Sequence, residues 1–226
     1  MSDPTSDIAA RRSTILSQAG RAAQAAGRAS GDITLVAISK RQPEIRIDAA
    51  LAAGHRVFGE NRVQEAQTRW ADRRTAFPDL ELRLVGPLQS NKAGDAVALF
   101  DVIETLDRDS LAKVLRKAMD DQNRAPRLFV QVNTGEEDQK SGLPPRDTAA
   151  FIDRMRTHYR FDIEGLMCIP PAEEPAGPHF ALLADLAAHN DIRHLSMGMS
   201  ADFETAIRFG ATSIRVGSAF FGERDG

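Results

Sequence analysis

The chain has 226 residues, 42% of them hydrophobic and 27% charged, with a formal net charge of −3 at pH 7. This ordinary globular composition argues against a disordered, collagen-like or coiled-coil protein. The near-neutral charge leaves no basic stripe for nucleic acid, and no apolar run approaches the roughly 20 residues that span a bilayer. The single cysteine, Cys168, allows neither an internal disulfide nor a cysteine-rich metal site and fits a reducing compartment, so a cytoplasmic protein is expected.

Residues 8–30 are rich in Arg, Ala and Ser, as a transit peptide would be. Asp3 and Asp7 argue against targeting, and Ile8, Ile15, Ala19, Ala22 and Ala26 fall on one helical face, so an amphipathic helix of the mature protein is expected. Residues 33–39 (ITLVAIS) are a near-continuous, β-branched apolar run, the pattern of a strand buried on both faces. Pro43 opens a helix that Gly54 closes. A second strand is expected over 55–58, a helix over 61–76, a third strand over 82–85, a helix over 91–100 and a fourth strand over 102–105. Leu111, Val114, Leu115, Ala118 and Met119 then follow the i, i+3, i+4, i+7, i+8 spacing of an amphipathic helix. A fifth strand over 128–133, a helix over 145–158, a sixth strand over 163–169, a helix over 178–189 and a seventh strand over 194–197 come next. Ser200 caps a helix ending at Gly210, and 213–217 form the eighth strand.

Eight strands alternating with helices argue for repeated right-handed βαβ units closing a TIM (β/α)8 barrel. One domain is expected over 1–226, with an extra N-terminal helix within 1–30 and the barrel over 33–224. The competing open doubly wound sheet usually carries a Gly-rich first turn, whereas Lys40-Arg41-Gln42-Pro43 follows the first strand.

Barrel chemistry sits at the C-terminal ends of the strands. Lys40 stands there, directly after the first strand. Partial desolvation at an apolar mouth favours a neutral, nucleophilic amine of the kind a Schiff base needs, and the competing reading is a solvated lysine. Asn61, after the second strand, either contacts a ligand or caps the next helix. Residues 86–92 (GPLQSNK) look superficially like a P-loop but lack its second Gly and its Ser/Thr. Ser200 and the Arg215-Val216-Gly217-Ser218 segment follow the seventh strand and close the eighth, where barrels frequently hold phosphate. Ser200 offers a hydroxyl at a helix start, and Gly217 lets a ligand approach the backbone. The five histidines show no HxH or HExxH spacing, so no metal is expected.

Ile38-Ser39-Lys40, Phe58-Gly59-Glu60-Asn61, GPLQSNK, Lys140-Ser141-Gly142, Gly165-Leu166-Met167, SMGMS over 196–200 and Arg215-Val216-Gly217-Ser218-Ala219 occur in family order. From about residue 33 to 224 the chain resembles the YggS-like proteins of pyridoxal 5′-phosphate (PLP) homeostasis. The resemblance implies a PLP-binding barrel similar to the N-terminal barrel of alanine racemase. Lys40 matches the Schiff-base lysine, Ser200, Gly217 and Ser218 match the phosphate-binding positions, Arg215 the residue facing the pyridine nitrogen, and Asn61 and Met167 pocket positions near the ring. It further implies a carrier or buffer of PLP without robust catalysis, with apo PLP-dependent enzymes as recipients, and a monomer is expected. The alternative is a racemase-like PLP enzyme of the same fold. Racemases of this type add a β-domain and a partner-subunit tyrosine, and neither is expected here. The loop over 170–178, with four prolines and two glutamates, departs from the family pattern.

Overall fold

The structure, a computed structural model, describes residues 4–222; Asp3 and the end of the expected barrel range lie outside the described residues. Helix α1 (Pro4–Ala25) precedes strand β1 (Thr34–Ile38), α2 (Glu44–Ala52), β2 (Val57–Glu60), α3 (Val63–Ala76) and β3 (Glu81–Leu84). Then come α4 (Ala93–Leu99), β4 (Val102–Leu106), α5 (Asp109–Gln122), β5 (Arg127–Gln131), α6 (Thr148–Thr157) and β6 (Ile163–Met167). The chain ends with α7 (Ala176–His189), β7 (His194–Ser196), α8 (Phe203–Arg208), β8 (Ser213–Val216) and α9 (Ser218–Phe221). The strands form one closed barrel in sequence order, and β8 pairs in parallel with β1 from Thr34↔Ser213 to Ala37↔Val216.

Side chains alternate across each strand. One set, including Leu35, Phe58, Leu82 and Ile103, joins Ile47, Trp70 and Leu115 of the helices in a continuous apolar cluster. The other set is unusually polar. Arg83 Nη1 donates to Glu104 Oε1 at 3.1 Å and to Ser213 Oγ at 3.0 Å, while Ser196 Oγ donates to Glu104 Oε2 at 2.6 Å. All four residues are buried. A buried charge persists only when paired and hydrogen-bonded, which this chain of contacts achieves.

Helix α1 packs on α2, α8 and α9. Ile8, Ile15, Ala19 and Ala22 are buried as expected, so the segment is an integral part of the fold. Ala26 lies beyond the helix end and is exposed, and Ala23 takes the buried place. The second strand starts at Val57 because the chain is still closing α2 at His55, whose N–H donates to Ala50 O at 3.0 Å. Over 145–158 the chain makes a 3-10 turn at Pro145–Asp147 before α6. Helix α9 was not expected from the sequence.

His55 is buried between the rings of Phe58 and Phe220, with centroids 5.0 and 4.8 Å away. Its Nε2 lies 2.7 Å from Val57 O. Burial pushes its pKa down from 6.5 to about 4. The folded protein therefore keeps this ring neutral while the unfolded chain takes up a proton below pH 6.5. The associated stability is lost as pH falls from 6.5 to about 4, by roughly 3 kcal/mol in total. Urea unfolding across that window should be less pH-dependent in His55→Gln than in the parent. Identical pH dependence in the two proteins would contradict this assignment.

Candidate functional site

The C-terminal ends of the strands bring the expected residues to one mouth in two groups. Lys40 and Asn61 line a cavity of about 240 Å³ together with Arg41, Arg62 and Glu65. The turn carrying Lys40 is pinned on both sides. Ser39 Oγ donates to Glu60 Oε1 at 2.7 Å, and Arg69 donates to Ser39 O at 2.8 Å and Gln42 O at 3.2 Å. Among the described residues nothing hydrogen-bonds or pairs with the half-buried Lys40. By contrast, Lys92 pairs with Asp95 at 3.4 Å, and Lys140 is held by Glu137 and by Pro170 O at 3.2 Å.

Asn61 caps no helix: the residue preceding α3 is Arg62, and no side chain caps that end. Its backbone instead packs on Gly86 so tightly that a Cβ on Gly86 would stand 2.2 Å from Asn61 O. The GPLQSNK loop thus buttresses the strand end that carries Asn61. It also lines a neighbouring cavity of about 720 Å³ with Arg62 and Arg108.

The second group lies where β7 and β8 end. Ser200 does not cap the following helix. Asp202 Oδ1 accepts the Met199 N–H at 2.6 Å, closing a turn before α8 begins at Phe203. The Ser200 hydroxyl is thereby released toward the start of α9, 3.4 Å from Ser218 Oγ and accepting the Ala219 N–H at 3.5 Å. Gly198 permits this path: its φ is +93°, and a Cβ there would meet Ala206 Cβ at 2.6 Å. A methyl group on Gly217 would clash with no protein atom and would stand 3.8 Å from Ile38 Cβ, two residues before Lys40. That is ordinary contact distance, so the Gly217 backbone runs close alongside the end of β1.

Arg215 is buried on β8. Its Nη1 donates to Ser196 Oγ and its Nη2 to Cys168 O, both at 2.7 Å. It therefore spans from β8 toward the end of β6, beside the fully buried Met167. Through Ser196 it joins the Glu104–Arg83 contacts inside the barrel. The sequence reading missed Glu60, Ser196 and Glu104; the available signal was a polar residue inside an otherwise apolar strand.

Three further acid–base groups are buried or engaged. Cys168 is buried, and burial pushes its thiol up to about 12 against the opposing pull of Arg215. His179, near the start of α7, has Nε2 3.0 Å from Glu174 Oε2. Tyr159 donates to Asp109 O on α5 at 3.4 Å. Among the described residues no group of three or more His, Cys, Asp or Glu could hold a metal ion, and no helix is long and apolar enough to cross a membrane.

Residues 21–225 match the family "alanine racemase, N-terminal domain". The chain is 38% identical to the pyridoxal phosphate homeostasis protein of Pseudomonas aeruginosa and 33% identical to that of Escherichia coli K12, in each case covering 97% of both chains. Among solved structures, PipY of Synechococcus elongatus with PLP bound is 37% identical, with a TM-score of 0.81, and covers 95% of this chain and all of PipY. Alanine racemase of Bartonella henselae, 13% identical with a TM-score of 0.72, shares the fold over 61% of its length.

Proposed function

Because the chain belongs to the alanine racemase N-terminal domain family, and within it to the pyridoxal phosphate homeostasis proteins, we propose that it binds PLP at the C-terminal mouth of its barrel and acts in intracellular PLP homeostasis, without robust catalysis. In this reading it works as a cytoplasmic monomer that yields PLP to apo forms of PLP-dependent enzymes. One observation carries the site assignment: an amine with no hydrogen-bond or ion-pair partner among the described residues follows β1, and the strand paired with β1, β8, leads into a pair of neighbouring hydroxyls.

The donor set fits PLP. Ser200 and Ser218 would present hydroxyls and Ala219 an amide to a phosphate, and Gly217 adds no side chain beside them. Lys40 supplies the amine, Asn61 shares its cavity, and Met167 would stand near the ring as the family resemblance implies. When bound, PLP supplies an aldehyde that condenses with amines and a ring that withdraws electrons. Arg215 holds only donors, so a ring nitrogen facing it stays unprotonated and withdraws electrons less strongly. Racemisation further needs two positioned proton-transfer groups. Lys40 can serve one face, whereas Cys168 is held in its thiol form by burial and His179 is tied to Glu174.

Ser200→Ala tests the phosphate assignment. A hydrogen bond to a charged group contributes roughly 1.5–3 kcal/mol, so PLP binding should weaken about tenfold or more, with unphosphorylated pyridoxal little affected. Equal weakening of both ligands would assign Ser200 a structural role instead.

A further inference from the structure

The opposite end of the barrel, where the strands begin, holds a cavity of about 580 Å³ lined by Arg28, Arg83, Arg127, Arg193 and His194. The one carboxylate on its wall is Asp32, whose Oδ2 already accepts the Ala29 N–H at 3.1 Å. Behind the wall, Glu81 accepts from Arg83 Nε and Arg127 Nη2, both at 2.6 Å, and Glu104 accepts from Arg83 Nη1 at 3.1 Å. Glu104 also serves the Ser196–Arg215 contact. Four guanidinium groups thus share Asp32, Glu81 and part of Glu104, and the cavity keeps an excess of positive charge.

Several donors there lack a protein partner. Arg83 is 4% exposed, yet its Nη2 makes no hydrogen bond among the described residues; neither do Nε and Nη1 of Arg127 or any side-chain nitrogen of the exposed Arg193. Arg28 is fixed in place, with Nη1 donating to Ala211 O at 2.8 Å and Ile207 O at 3.2 Å. The unused donors are not among the side-chain atoms sealed from solvent; they open into the cavity beside other groups of like charge, where an anion can accept from them. Guanidinium forks bind carboxylate and phosphate oxygens in pairs. The volume lies within the range of small-molecule sites, and a stacked pair of rings, Phe129 and His194, with centroids 6.3 Å apart, forms part of the wall.

We propose that this lower mouth is a second binding site, which takes a small metabolite carrying at least two negative charges, a phosphate ester or a dicarboxylate. The site stands independently of the PLP reading, because none of its residues belongs to the upper mouth. To exclude the upper hydroxyl pair, the Ser200→Ala protein is titrated with inorganic phosphate and, separately, with succinate at an ionic strength held constant with chloride. Backbone amide signals are followed by NMR. The expected result is saturable shifts centred on Gly31, Asp32, Thr212 and Ser213, at least tenfold weaker binding of acetate, and a tenfold or greater loss for either dianion in Arg127→Gln/Arg193→Glu. Arg193→Glu alone, at an exposed position, should fold normally and still weaken binding. Saturation by one dianion only would identify which of the two sources of charge the site accepts. Shifts no different from those of chloride, or saturable binding unchanged by both variants, would overturn the proposal.

Discussion

Borohydride reduction of the PLP-loaded protein, followed by digestion, is expected to leave the label on the Lys40 peptide alone, and Lys40→Ala is expected to carry no label and no visible absorption band. The expectation rests on a contrast among three lysines. Lys92 and Lys140 are each engaged by a carboxylate, which holds the side-chain direction. Lys40 has no such partner, and its backbone is fixed by Ser39 and Gln42 contacts on either side. A half-buried amine on a rigid turn loses little freedom on reacting, which favours condensation there. Label on Lys92 or Lys140 with Lys40 clean would contradict the assignment.

Arg69→Leu should unfold at markedly lower urea concentration, with a stability loss of about 3–5 kcal/mol. Glu60 is fully buried, and its Oε1 accepts from Ser39 Oγ, Arg69 Nη1 at 3.1 Å and Trp70 Nε1 at 2.9 Å. Removing Arg69 leaves that carboxylate without a countercharge and frees the backbone oxygens of Ser39 and Gln42. For a chain of this size the loss corresponds to a Tm decrease of roughly 6–20 °C. Arg69→Lys keeps the charge without the fork and should fall between the two. A loss below about 1 kcal/mol would show that the Arg69–Glu60 contact adds little stability.

The barrel was legible because its signal repeats. Eight apolar runs alternating with helical patterns leave few topologies. Strand-end position singled out Lys40, Asn61, Ser200 and the 215–218 segment as candidates, whereas Met167 came only from the family resemblance. Ser200 shows where such reading stops. A serine before a helical pattern has the same sequence signature whether it caps the helix or faces elsewhere, and Asp202, two residues on, takes the turn contact. The polar barrel interior was equally hidden. Arg83, Glu104 and Ser196 are single polar residues in short strands, and the contacts that link them with one another and with Ser213 span 21 to 130 positions in sequence. Only the closed geometry makes one network of them.

The most direct test of the account is hydrogen exchange on amino acids. The PLP-loaded protein is incubated with alanine, serine and other amino acids in deuterated water, and loss of the α-proton signal is followed by NMR. A protein that holds PLP without a second proton-transfer group positioned opposite Lys40, and with a weakly withdrawing ring, should show exchange far below one event per second, the lower end of ordinary enzymatic turnover. Exchange at about 1 per second or faster, abolished by Lys40→Ala, would contradict the account and make the protein an enzyme acting on amino acids.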